Sequence, residues 1–594
     1  MTLEIHLSPK GQDFLIQKSG CAYFEEGEFK ILSGILGARK VRSSTATFLI
    51  PGTAYHAGEL NALAIEKTWE PDAAKFSVAR LTAFQRVSEA LWNAGNGYRW
   101  KLQGRKLFGH QLSAMAALMI RDQQRMLIAD EMGLGKSTTA LAVFNETAAK
   151  RCLIVCPASV KYNWLHEIDE TLGPTMAPFV IPSDKLKRKR FIAALLAGRM
   201  LPNILITNYD LLRDKAVLEN CRSWIKDQFL ILDESHYVKD CKSLRSQHVA
   251  SLEPKHLLLL TGTPVRNLIT DLYHQLALIE PRLFRNYWEF QDRFTITKEI
   301  NVGPRKVKKI VGTKNQAKLK ELLAHYQIRR LKHDVLDLPP KIRTVVELDL
   351  DEGARLSYEA MRKDWIYTFG GLPDDANIFD VRVQSAIEQA MRLEQICQGY
   401  MRYVPQTVDT LASRVNPEED AFFANAAKTQ WLLELVTDLQ AAGKKLVVFF
   451  KFNRILHHVA ALIEENLKVK TWILEGATPV EQRPKMLTEF QEGNSGVLCA
   501  QVKIAEGWNA QSAQDVVFFG RDWSPAVNAQ AEDRLHRIGQ RGTVNVYIPL
   551  IRNSVESYIH ERLEAKAKDA SIVLGDSPLV FRDIKQAIQQ GECA

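Results

Sequence analysis

Short, uninterrupted apolar runs recur along two stretches of the chain and predict two parallel β-sheets. Between about Leu107 and Thr261, the runs RMLIAD, CLIVCP, NILITNY, FLILDE and HLLLLTGT alternate with segments that favour helix. After Lys428 the pattern returns in KLVVFFKF, TWILEG, GVLCAQ, DVVFFG and NVYIPL. Strands that are apolar along their whole length are typical of a parallel sheet covered by helices on both faces. We therefore predict two α/β units.

The rest of the chain lacks this alternation. From Asp271 to Lys428 it is basic and aromatic, and we predict a helix-rich region in which Leu338–Lys341 (LPPK) marks a stop between the units. Residues 1–100 are mixed and poorly periodic, and we predict no fold for them. The predicted segments are an N-terminal accessory region at 1–100, a first lobe at 101–270, a basic helical insertion and connection at 271–345, a helical insertion at 346–427, a second lobe at 428–565 and a helical tail at 566–594.

The composition narrows the class of protein. With 594 residues, 46% of them hydrophobic and 25% charged, the chain resembles an ordinary multidomain globular protein. It has no apolar run of the roughly 18–20 residues that a membrane helix needs and no export signal at its start. The eight cysteines are scattered, and Cys152 and Cys156 fall in a predicted strand, without a second pair at zinc spacing. We expect a reduced, intracellular protein without structural zinc.

The positive charge is concentrated rather than spread evenly. The formal net charge is +9, and Lys298–Lys332 alone holds eleven Lys or Arg against two Glu. A second cluster, Asp184–Arg190, reads DKLKRKR. Such runs are often solvated faces, and KLKRKR also fits a nuclear address. Two concentrated basic segments nevertheless favour a polyanionic partner, and we expect nucleic acid.

A glycine-rich segment predicts a phosphate-binding loop. ADEMGLGKST follows one predicted strand and opens one helix, the context in which main-chain N–H groups can bind phosphate. Lys136 would reach the outer phosphates of ATP, and the Ser137 hydroxyl suits Mg²⁺. Asp130 stands where the general pattern has glycine, and a plain helix cap is the alternative. The predicted ATP-binding residues of the loop are Asp130, Glu131, Met132, Gly133, Leu134, Gly135, Lys136, Ser137 and Thr138.

A pair of acids follows the strand FLILD. Asp233 can hold Mg²⁺ and Glu234 can orient or deprotonate the attacking water, although two acids can also merely cap a turn. Thr261 and Thr263, at the end of the next strand, can hydrogen-bond toward the acids. Gln111, just before the phosphate loop, can read an adenine edge with its amide or be an ordinary solvated residue.

Near the end of the chain, QAEDRLHRIGQ sets Arg534 and Arg537 three residues apart. That spacing predicts one helical face, on which two guanidinium groups repel each other unless an anion lies between them. A salt bridge to Glu532 or Asp533 is one explanation. The other is that the two α/β units face each other across ATP, so that the arginines stabilise the transferring phosphoryl group and couple hydrolysis to domain motion.

The ordered motifs resemble the Swi/Snf family of superfamily-two DNA translocases, most closely its annealing-helicase (HARP-type) branch. The resemblance covers roughly Lys106–Lys566. It implies two RecA-like lobes with helical insertions, ATP and Mg²⁺ as cofactors, and tracking along duplex DNA. The motifs that carry it are DEMGLGKS, CPASVKYNW, ITNYDLL, DESH, LTGTPVRN, RRLKHDVLDLPPK, KLVVFFKF, DWSP and QAEDRLHRIGQ.

The resemblance also implies roles for residues outside the two main motifs. AQVKIAEGWNA departs from the family pattern but keeps Gly507, expected at the nucleotide with Gln530, and Asn509, expected to couple nucleotide and DNA together with the two threonines. The stretch GARKVRSSTATFLIPGTAYH resembles the DNA-structure-binding HARP module. The expected DNA-contacting residues are Lys306, Lys308, Lys309, Arg329, Arg330 and Trp523.

Our leading hypothesis is an ATP-dependent translocase on double-stranded or forked DNA that remodels or reanneals DNA or displaces proteins from it. A strand-separating DNA or RNA helicase and a nucleotide-gated DNA clamp with little turnover are the alternatives. The small size and the lack of chromatin modules lead us to expect a bacterial or phage setting rather than a nuclear one.

Overall fold

The computed structural model describes most of the chain and groups it into two compact units. The described residues are 3–10, 12–18, 24–33, 35–41, 46–51, 53–63, 67–92, 105–121, 124–174, 176–266, 268–302, 305–359, 362, 390–400, 426–479, 482–505, 508–537 and 539–574. The first unit takes the described residues within Met1–Ile296, Val311–Val335 and Ala570–Ala594, and the second takes those within Thr297–Ile310 and Leu336–Asp569. Each unit contains its own parallel sheet.

The N-terminal region forms a small domain, for which the sequence predicted no fold. Its elements are β1 (Leu3–Leu7), β2 (Asp13–Lys18), α1 (Glu26–Ser33), β3 (Arg39–Lys40), β4 (Thr47–Pro51), α2 (Ala54–Ala62), β5 (Lys67–Trp69) and α3 (Pro71–Trp92). The sheet order is β3-β4-β2-β1-β5, with β1 antiparallel to β2 and parallel to β5. Alternate residues of β2 (Phe14, Ile16 and Lys18) are buried. Strands of two to six residues are too short for this alternation to be distinct in the sequence.

The larger sheet of the first unit confirms the first predicted α/β unit. Its strands pair in parallel in the order β14-β6-β11-β10-β7-β9-β8. Every residue of β7, β9 and β11 is buried, as expected of a sheet covered on both faces. The elements after α3 are α4 (Gly109–Met119), β6 (Arg125–Ile128), α5 (Lys136–Glu146), β7 (Cys152–Cys156), α6 (Lys161–Leu172), β8 (Pro178–Val180), α7 (Lys185–Leu196), β9 (Ile204–Asn208), α8 (Lys215–Ile225), β10 (Phe229–Asp233), α9 (Leu244–Ala250), β11 (His256–Leu260), α10 (Asp271–Ile279), α11 (Tyr287–Phe294), β12 (Thr295–Val302), β13 (Arg305–Thr313), α12 (Gln316–Tyr326), β14 (Gln327–Ile328) and α13 (Lys332–Val335).

The N-terminal domain packs against α11 and α12 of the same unit. The Gly37 N–H donates to Glu289 Oε1 at 3.0 Å. Gly37 has φ +75°, and a Cβ there would lie 3.0 Å from the Leu283 carbonyl oxygen, so the close approach requires glycine. The ring of His325 stacks on Phe84 with centroids 3.8 Å apart. The N-terminal domain is therefore part of the first unit rather than an appended arm.

The predicted basic helical insertion is only partly helical. Its most basic stretch forms β12 and β13, which pair with each other as a two-stranded ribbon. Both segments are rich in β-branched residues, and these favour strand over helix. β14 joins the first sheet beside β6, so the RRLK sequence that follows β14 belongs to the first lobe and not to a connection between lobes.

The second unit confirms the second predicted α/β unit. All its strands pair in parallel, in the order β15-β20-β19-β16-β18-β17. β15 crosses the boundary predicted at residue 345, and most of the helical insertion predicted at 346–427 lies outside the described residues, although residues 390–397 are helical. The elements are β15 (Lys341–Leu348), α14 (Ala427–Ala441), β16 (Lys445–Phe450), α15 (Asn453–Leu467), β17 (Thr471–Leu474), α16 (Arg483–Glu492), β18 (Gly496–Gln501), β19 (Asp515–Phe518), α17 (Pro525–Glu532), β20 (Val544–Ile551) and α18 (Val555–Leu574).

Within the described part of the chain, every helix is too short or too polar to cross a bilayer.

Candidate nucleotide site and arginine segment

The predicted phosphate loop lies between the end of β6 and the start of α5. Gly133 and Gly135 have φ values of +84° and +73°, in the left-handed region that favours glycine. A Cβ on Gly135 would clash with Nε2 of Gln111. The loop thus needs glycine at both positions and leads its main-chain N–H groups into the start of a helix, which is the geometry of an anion site.

The polar side chains of the loop lie at its mouth. The Lys136 ammonium donates to the carbonyl oxygens of Asp130 at 2.9 Å and Glu131 at 3.3 Å. Ser137 is half-buried in the first turn of α5, and the next residue, Thr138, is buried and donates to a glutamate of α6. A lysine and a hydroxyl at the beginning of α5 are therefore where the sequence predicted them.

Gln111 is buried against the loop. Its Nε2 donates to the carbonyl oxygens of Leu134 and Gly135, both at 3.3 Å, and its Oε1 accepts the Phe108 N–H at 2.9 Å. His110 Nε2 also bonds to the Leu134 carbonyl, at 2.9 Å. Both ends of the Gln111 amide contact the main chain, which supports an anchoring role; the adenine contact stays a prediction. His110 was missed because a lone histidine in an amphipathic segment carries no signal.

The two arginines assigned to DNA brace the phosphate loop. Asp130 is 1% exposed, and Arg330 forms a two-pronged ion pair with it, with Nε 3.0 Å from Oδ1 and Nη2 on Oδ2. Arg330 also donates to the His110 carbonyl. Arg329 donates to the Ala129 carbonyl at 2.7 Å. Both guanidinium groups are thus held by acceptors of the first unit, and their contact with DNA stays a prediction. The pair also explains Asp130 at a position where glycine is usual.

The acidic pair follows β10 in a strained turn. Glu234 has φ +49°, uncommon for a residue with a side chain and typical of functional sites. Asp233 Oδ1 accepts the Glu234 N–H at 3.0 Å, and its Oδ2 accepts Nε1–H of the buried Trp164 at 2.9 Å. The Tyr209 hydroxyl donates to the Asp233 carbonyl at 2.7 Å. The orientation of Asp233 is therefore fixed by its own lobe. Trp164 lies in the CPASVKYNW motif, but nothing in that motif indicated this contact.

Glu234 contacts the histidine and threonine that flank it. Its Oε2 lies 3.2 Å from His236 Nδ1 and 3.5 Å from Thr261 Oγ1. The Thr263 N–H donates to Thr261 Oγ1 at 3.1 Å. Thr261 thus contacts the acid as predicted, and Thr263 reaches it only through Thr261.

The two carboxyls differ in their proton affinity. Burial and the charge of Glu234 raise the pKa of Asp233. Burial acts in the same direction on Glu234, but the hydrogen bond from His236 and the charges of His236 and Lys136 outweigh it and lower the pKa of Glu234. Glu234 is therefore a carboxylate ready to accept a hydrogen bond from water. Asp233 needs a nearby cation to favour its ionised form, which a bound Mg²⁺ would provide.

The predicted helical face of the arginine pair is wrong. Helix α17 ends at Glu532, and the N–H groups of Arg534 and Leu535 bond to the carbonyls three residues back. Bonds of this i to i+3 type tighten the end of a helix into a turn. Arg537 therefore lies in a turn after the helix rather than one helical step beyond Arg534.

Both arginines nevertheless contact one segment of the second unit. Arg534 Nη1 donates to the Trp508 carbonyl at 3.1 Å, and its Nε donates to the carbonyl of the buried Gln530 at 3.3 Å. Arg537 Nη1 donates to the Asn509 side-chain oxygen. The structure thus brings together the two arginines, predicted to act on the phosphoryl group, and Asn509, predicted to act in coupling. Gly507 lies outside the described residues.

The simpler explanation of the motif was a salt bridge to Glu532, Asp533 or a neighbour, and its Glu532 form receives no support. Glu532 is 2% exposed and is paired with Arg343 at 2.7 Å and Lys341 at 2.9 Å. Its carboxylate therefore serves to hold β15 onto the second sheet.

The remaining DNA-directed predictions lie on the ribbon and near β16. Lys306, Lys308 and Lys309 are exposed on β13. Trp523 is half-buried; its Nε1 donates to Glu394 Oε2 at 3.1 Å, and the Lys451 ammonium lies 4.1 Å from the ring centroid. The lysines are available to a polyanion, whereas packing accounts for much of the Trp523 environment.

Two parallel sheets, a phosphate loop after β6 and an acidic pair after β10, on strands separated by β11 in the same sheet, define a helicase-superfamily ATPase. Two family descriptions match the chain: the SNF2-related domain over residues 110–400 and the helicase conserved C-terminal domain over residues 427–539. Together they cover more than half of the sequence. The chain belongs to the SNF2-related family; the HARP-type branch stays a prediction.

The chain is similar to curated proteins of this family. The transcription regulatory protein SNF2 of Saccharomyces cerevisiae is 27% identical over 74% of this chain and 26% of that protein. The human SWI/SNF-related matrix-associated actin-dependent regulator of chromatin subfamily A member 1 is 28% identical over 76% of this chain and 42% of that protein. The solved SWI2/SNF2 ATPase core of Sulfolobus solfataricus in complex with dsDNA matches at 24% identity and a TM-score of 0.36, over 82% of this chain and 97% of that chain. The chain spans less than half the length of the two curated relatives.

Proposed function

We propose that the chain is an ATP-dependent translocase that tracks along double-stranded DNA, and that it remodels or reanneals DNA or displaces proteins from it. The observation that carries the proposal is the combination of a glycine-rich phosphate loop and a half-buried Asp–Glu pair in a chain of the SNF2-related family. A strand-separating helicase is the alternative, and a nucleotide-gated clamp with little turnover is the third candidate.

The first unit would bind and activate the nucleotide. Main-chain N–H groups around Gly133 and Gly135 would bind phosphate oxygens, and Lys136 would turn from its carbonyl partners to the outer phosphates. Ser137 and Asp233 would hold Mg²⁺, which when bound neutralises phosphate charge. The residues present fit that ion, since Asp233 is a half-buried carboxyl at a strand end, oriented by Trp164 and the Glu234 N–H. Glu234 would orient the attacking water or accept its proton; its lowered pKa favours the orienting role.

The second unit would supply positive charge to the transferring phosphoryl group. Arg534 and Arg537 are the residues proposed for this role, with Gln530 and Gly507 at the nucleotide and Asn509 in coupling. The contacts of both arginines with Trp508 and Asn509 support a common function, because one segment orients both guanidinium groups. Charge supplied only when the two units close on ATP would couple hydrolysis to domain motion.

The β12–β13 ribbon is the proposed DNA contact outside the two sheets. Lys306, Lys308 and Lys309 are exposed and carry charge of one sign, and a two-stranded ribbon has the width of the DNA major groove. Trp523 stays a weaker proposal.

The deciding experiment measures steady-state ATP hydrolysis without nucleic acid and with single-stranded DNA, blunt duplex, forked DNA or RNA. We expect strong stimulation by duplex or fork and little by the others. Lys136→Ala, which removes the charge at the outer phosphates, should abolish hydrolysis and serves as the blank. Stimulation mainly by single strands or RNA would favour the helicase, and binding of ATP and DNA without turnover would favour the clamp.

A further inference from the structure

Two loops at the carboxyl end of the large sheet of the first unit are connected by side chains of α10. We define the acidic turn as Asp233–Lys239 and the threonine loop as Thr261–Arg266. The two follow β10 and β11, which pair in parallel with Asp233 opposite Leu260. A change at the nucleotide that reaches Glu234 can pass to the rest of the lobe through the contacts of the acidic turn with the threonine loop and α10.

The hydrogen bonds that Thr261 makes from the threonine loop to the acidic turn are long, although the charge of Arg266 also acts on Glu234. Thr261 Oγ1 lies 3.5 Å from Glu234 Oε2 and 3.3 Å from His236 Nδ1. Hydrogen bonds of O–H donors centre near 2.7–2.8 Å and weaken beyond about 3.2 Å. Thr261 alone is therefore a loose connection between the acidic turn and the threonine loop.

Gln275 of α10 makes the tighter connection. The Ser235 hydroxyl donates to Gln275 Oε1 at 2.8 Å, while Gln275 Nε2 donates to the Pro264 and Asp271 carbonyls, both at 3.0 Å. Ser235 and Gln275 are 0% exposed. Hydrogen bonds between residues that are excluded from water are strengthened by the low local dielectric constant. A buried network in which every polar group has a partner is also held in a single geometry.

A second side chain of α10 repeats the connection. Asp271 Oδ2 accepts the Lys239 ammonium at 3.2 Å and the Arg266 N–H at 3.0 Å. Lys239 belongs to the acidic turn and Arg266 to the threonine loop. The helix that carries both bridges is itself anchored, because Leu272 and Leu276 are 0% exposed.

We propose that Gln275 is a positioning residue that makes the acidic turn, the threonine loop and α10 move as one body, so that stimulation of ATP hydrolysis by DNA depends on the Ser235–Gln275 bridge. This inference rests on the proposed function, since it names the device through which DNA acts on that site. Gln275 itself does not contact the nucleotide; it acts through Ser235 on the residue next to Glu234.

The test compares Gln275→Leu with Gln124→Leu. Gln124 is also a buried glutamine (4% exposed), and its Nε2 also donates to two carbonyls, at 3.3 and 2.8 Å. It lies just before β6, at the end of the sheet opposite the site. The readouts are thermal stability, affinity for a fluorescent ATP analogue, affinity for duplex DNA, and the ratio of the hydrolysis rates with and without saturating duplex.

We expect Gln275→Leu to lower the stimulation ratio at least about tenfold, a loss equal to about 1.4 kcal/mol of coupling, while affinities for nucleotide and DNA change less than about threefold. Gln124→Leu should lose similar stability and keep the wild-type ratio. Ser235→Ala should also lower the ratio, and the double variant should be no worse than the more affected single variant, because both changes remove one bridge.

Two results would overturn the inference. One is a wild-type ratio in Gln275→Leu, and the other is an equal fall of the ratio in Gln124→Leu, which would reduce the effect to lost stability. In both cases duplex stimulation of the wild-type chain leaves the proposed function standing. If duplex does not stimulate the wild-type chain, the proposed function fails and this inference fails with it.

Discussion

The arginines of two regions of this molecule differ in the acceptors that they bind. In the first unit, Arg330 is paired with a carboxylate, Asp130, that is 1% exposed. In the second unit, Arg534 donates to main-chain carbonyls, and Arg537 donates to the amide oxygen of Asn509. A carboxylate cancels the charge that it holds, whereas a neutral acceptor fixes the direction of a guanidinium and leaves its charge in place.

This difference shows that the role of an arginine in a basic motif depends on the groups that accept its hydrogen bonds. RRLK and RLHRIGQ each contain two arginines, and the sequence assigned both pairs to an external anion. The first stabilises the phosphate loop, and the second is oriented as a donor of positive charge. Removing each arginine should therefore damage different properties, which makes the comparison testable.

The largest effect is expected for Arg537→Ala. If Arg537 stabilises the transferring phosphoryl group, the duplex-stimulated rate of ATP hydrolysis should fall by at least about 100-fold, the lower side of the range for such arginines. Affinity for a nonhydrolysable ATP analogue should change less than about threefold, because the interaction belongs to the transition state. Steady-state kinetics and equilibrium binding measure the two quantities separately.

Arg541→Ala is the matched control, since Arg541 is exposed in the same segment. Its hydrolysis rate should be that of the wild type. An Arg537→Ala variant that hydrolyses ATP at the wild-type rate would remove the distinction between the two arginine regions.

Arg330→Ala should act on stability instead. It leaves Asp130 charged and buried without its partner, and breaking a buried ion pair in this way costs about 3–5 kcal/mol. The unfolding midpoint of the first unit, followed by calorimetry, should fall clearly, while duplex affinity of the folded fraction stays unchanged.

Arg552→Ala provides the exposed counterpart. Arg552 pairs with Glu347 and Asp349 at the surface, and such pairs contribute little to stability. A fall in duplex affinity with Arg330→Ala at unchanged stability would instead support the predicted DNA contact of Arg330 and contradict a purely structural role.

Local patterns were enough for the sheets and for the loops that carry chemistry. The central strands of both parallel sheets are largely apolar, although β15 is not, and the phosphate loop and DESH are contiguous motifs that lie at strand ends, as the sequence predicted. What the sequence missed depends on partners far along the chain. Asp130 and Arg330 are 200 positions apart, Trp164 and Asp233 are 69 apart, and Ser235 and Gln275 are 40 apart. No local periodicity encodes such pairs.

The ribbon was missed for a different reason. The prediction of a helical region was based on its charge, whereas its β-branched residues favour the extended backbone of a strand. The helical face assumed for Arg534 and Arg537 failed because spacing alone does not show where a helix ends. Charge does not determine the backbone conformation of a segment, and residue spacing does not determine where a helix ends.

The smallest effect we predict concerns the ribbon and its charge. Replacing Lys306, Lys308 and Lys309 together by Gln should weaken duplex binding and make the plot of log affinity against log salt shallower by about two to three units, because each phosphate contact contributes about 0.9 to that slope. ATP hydrolysis at saturating duplex should change little. Fluorescence anisotropy across a salt series measures the slope directly.

The control has the same change in charge at another surface. Lys185, Lys187 and Lys189 are exposed on α7, in the second basic cluster, whose Arg188 is instead buried and paired with Asp214. If the three corresponding Gln substitutions leave the slope unchanged, the ribbon binds phosphates at specific positions. If both triple variants flatten the slope equally, only net charge matters, and the ribbon is a solvated surface like α7. Unequal slopes would extend the comparison from arginines to lysines. They would show that the position of a basic residue, and not its charge alone, determines whether it contributes to DNA binding.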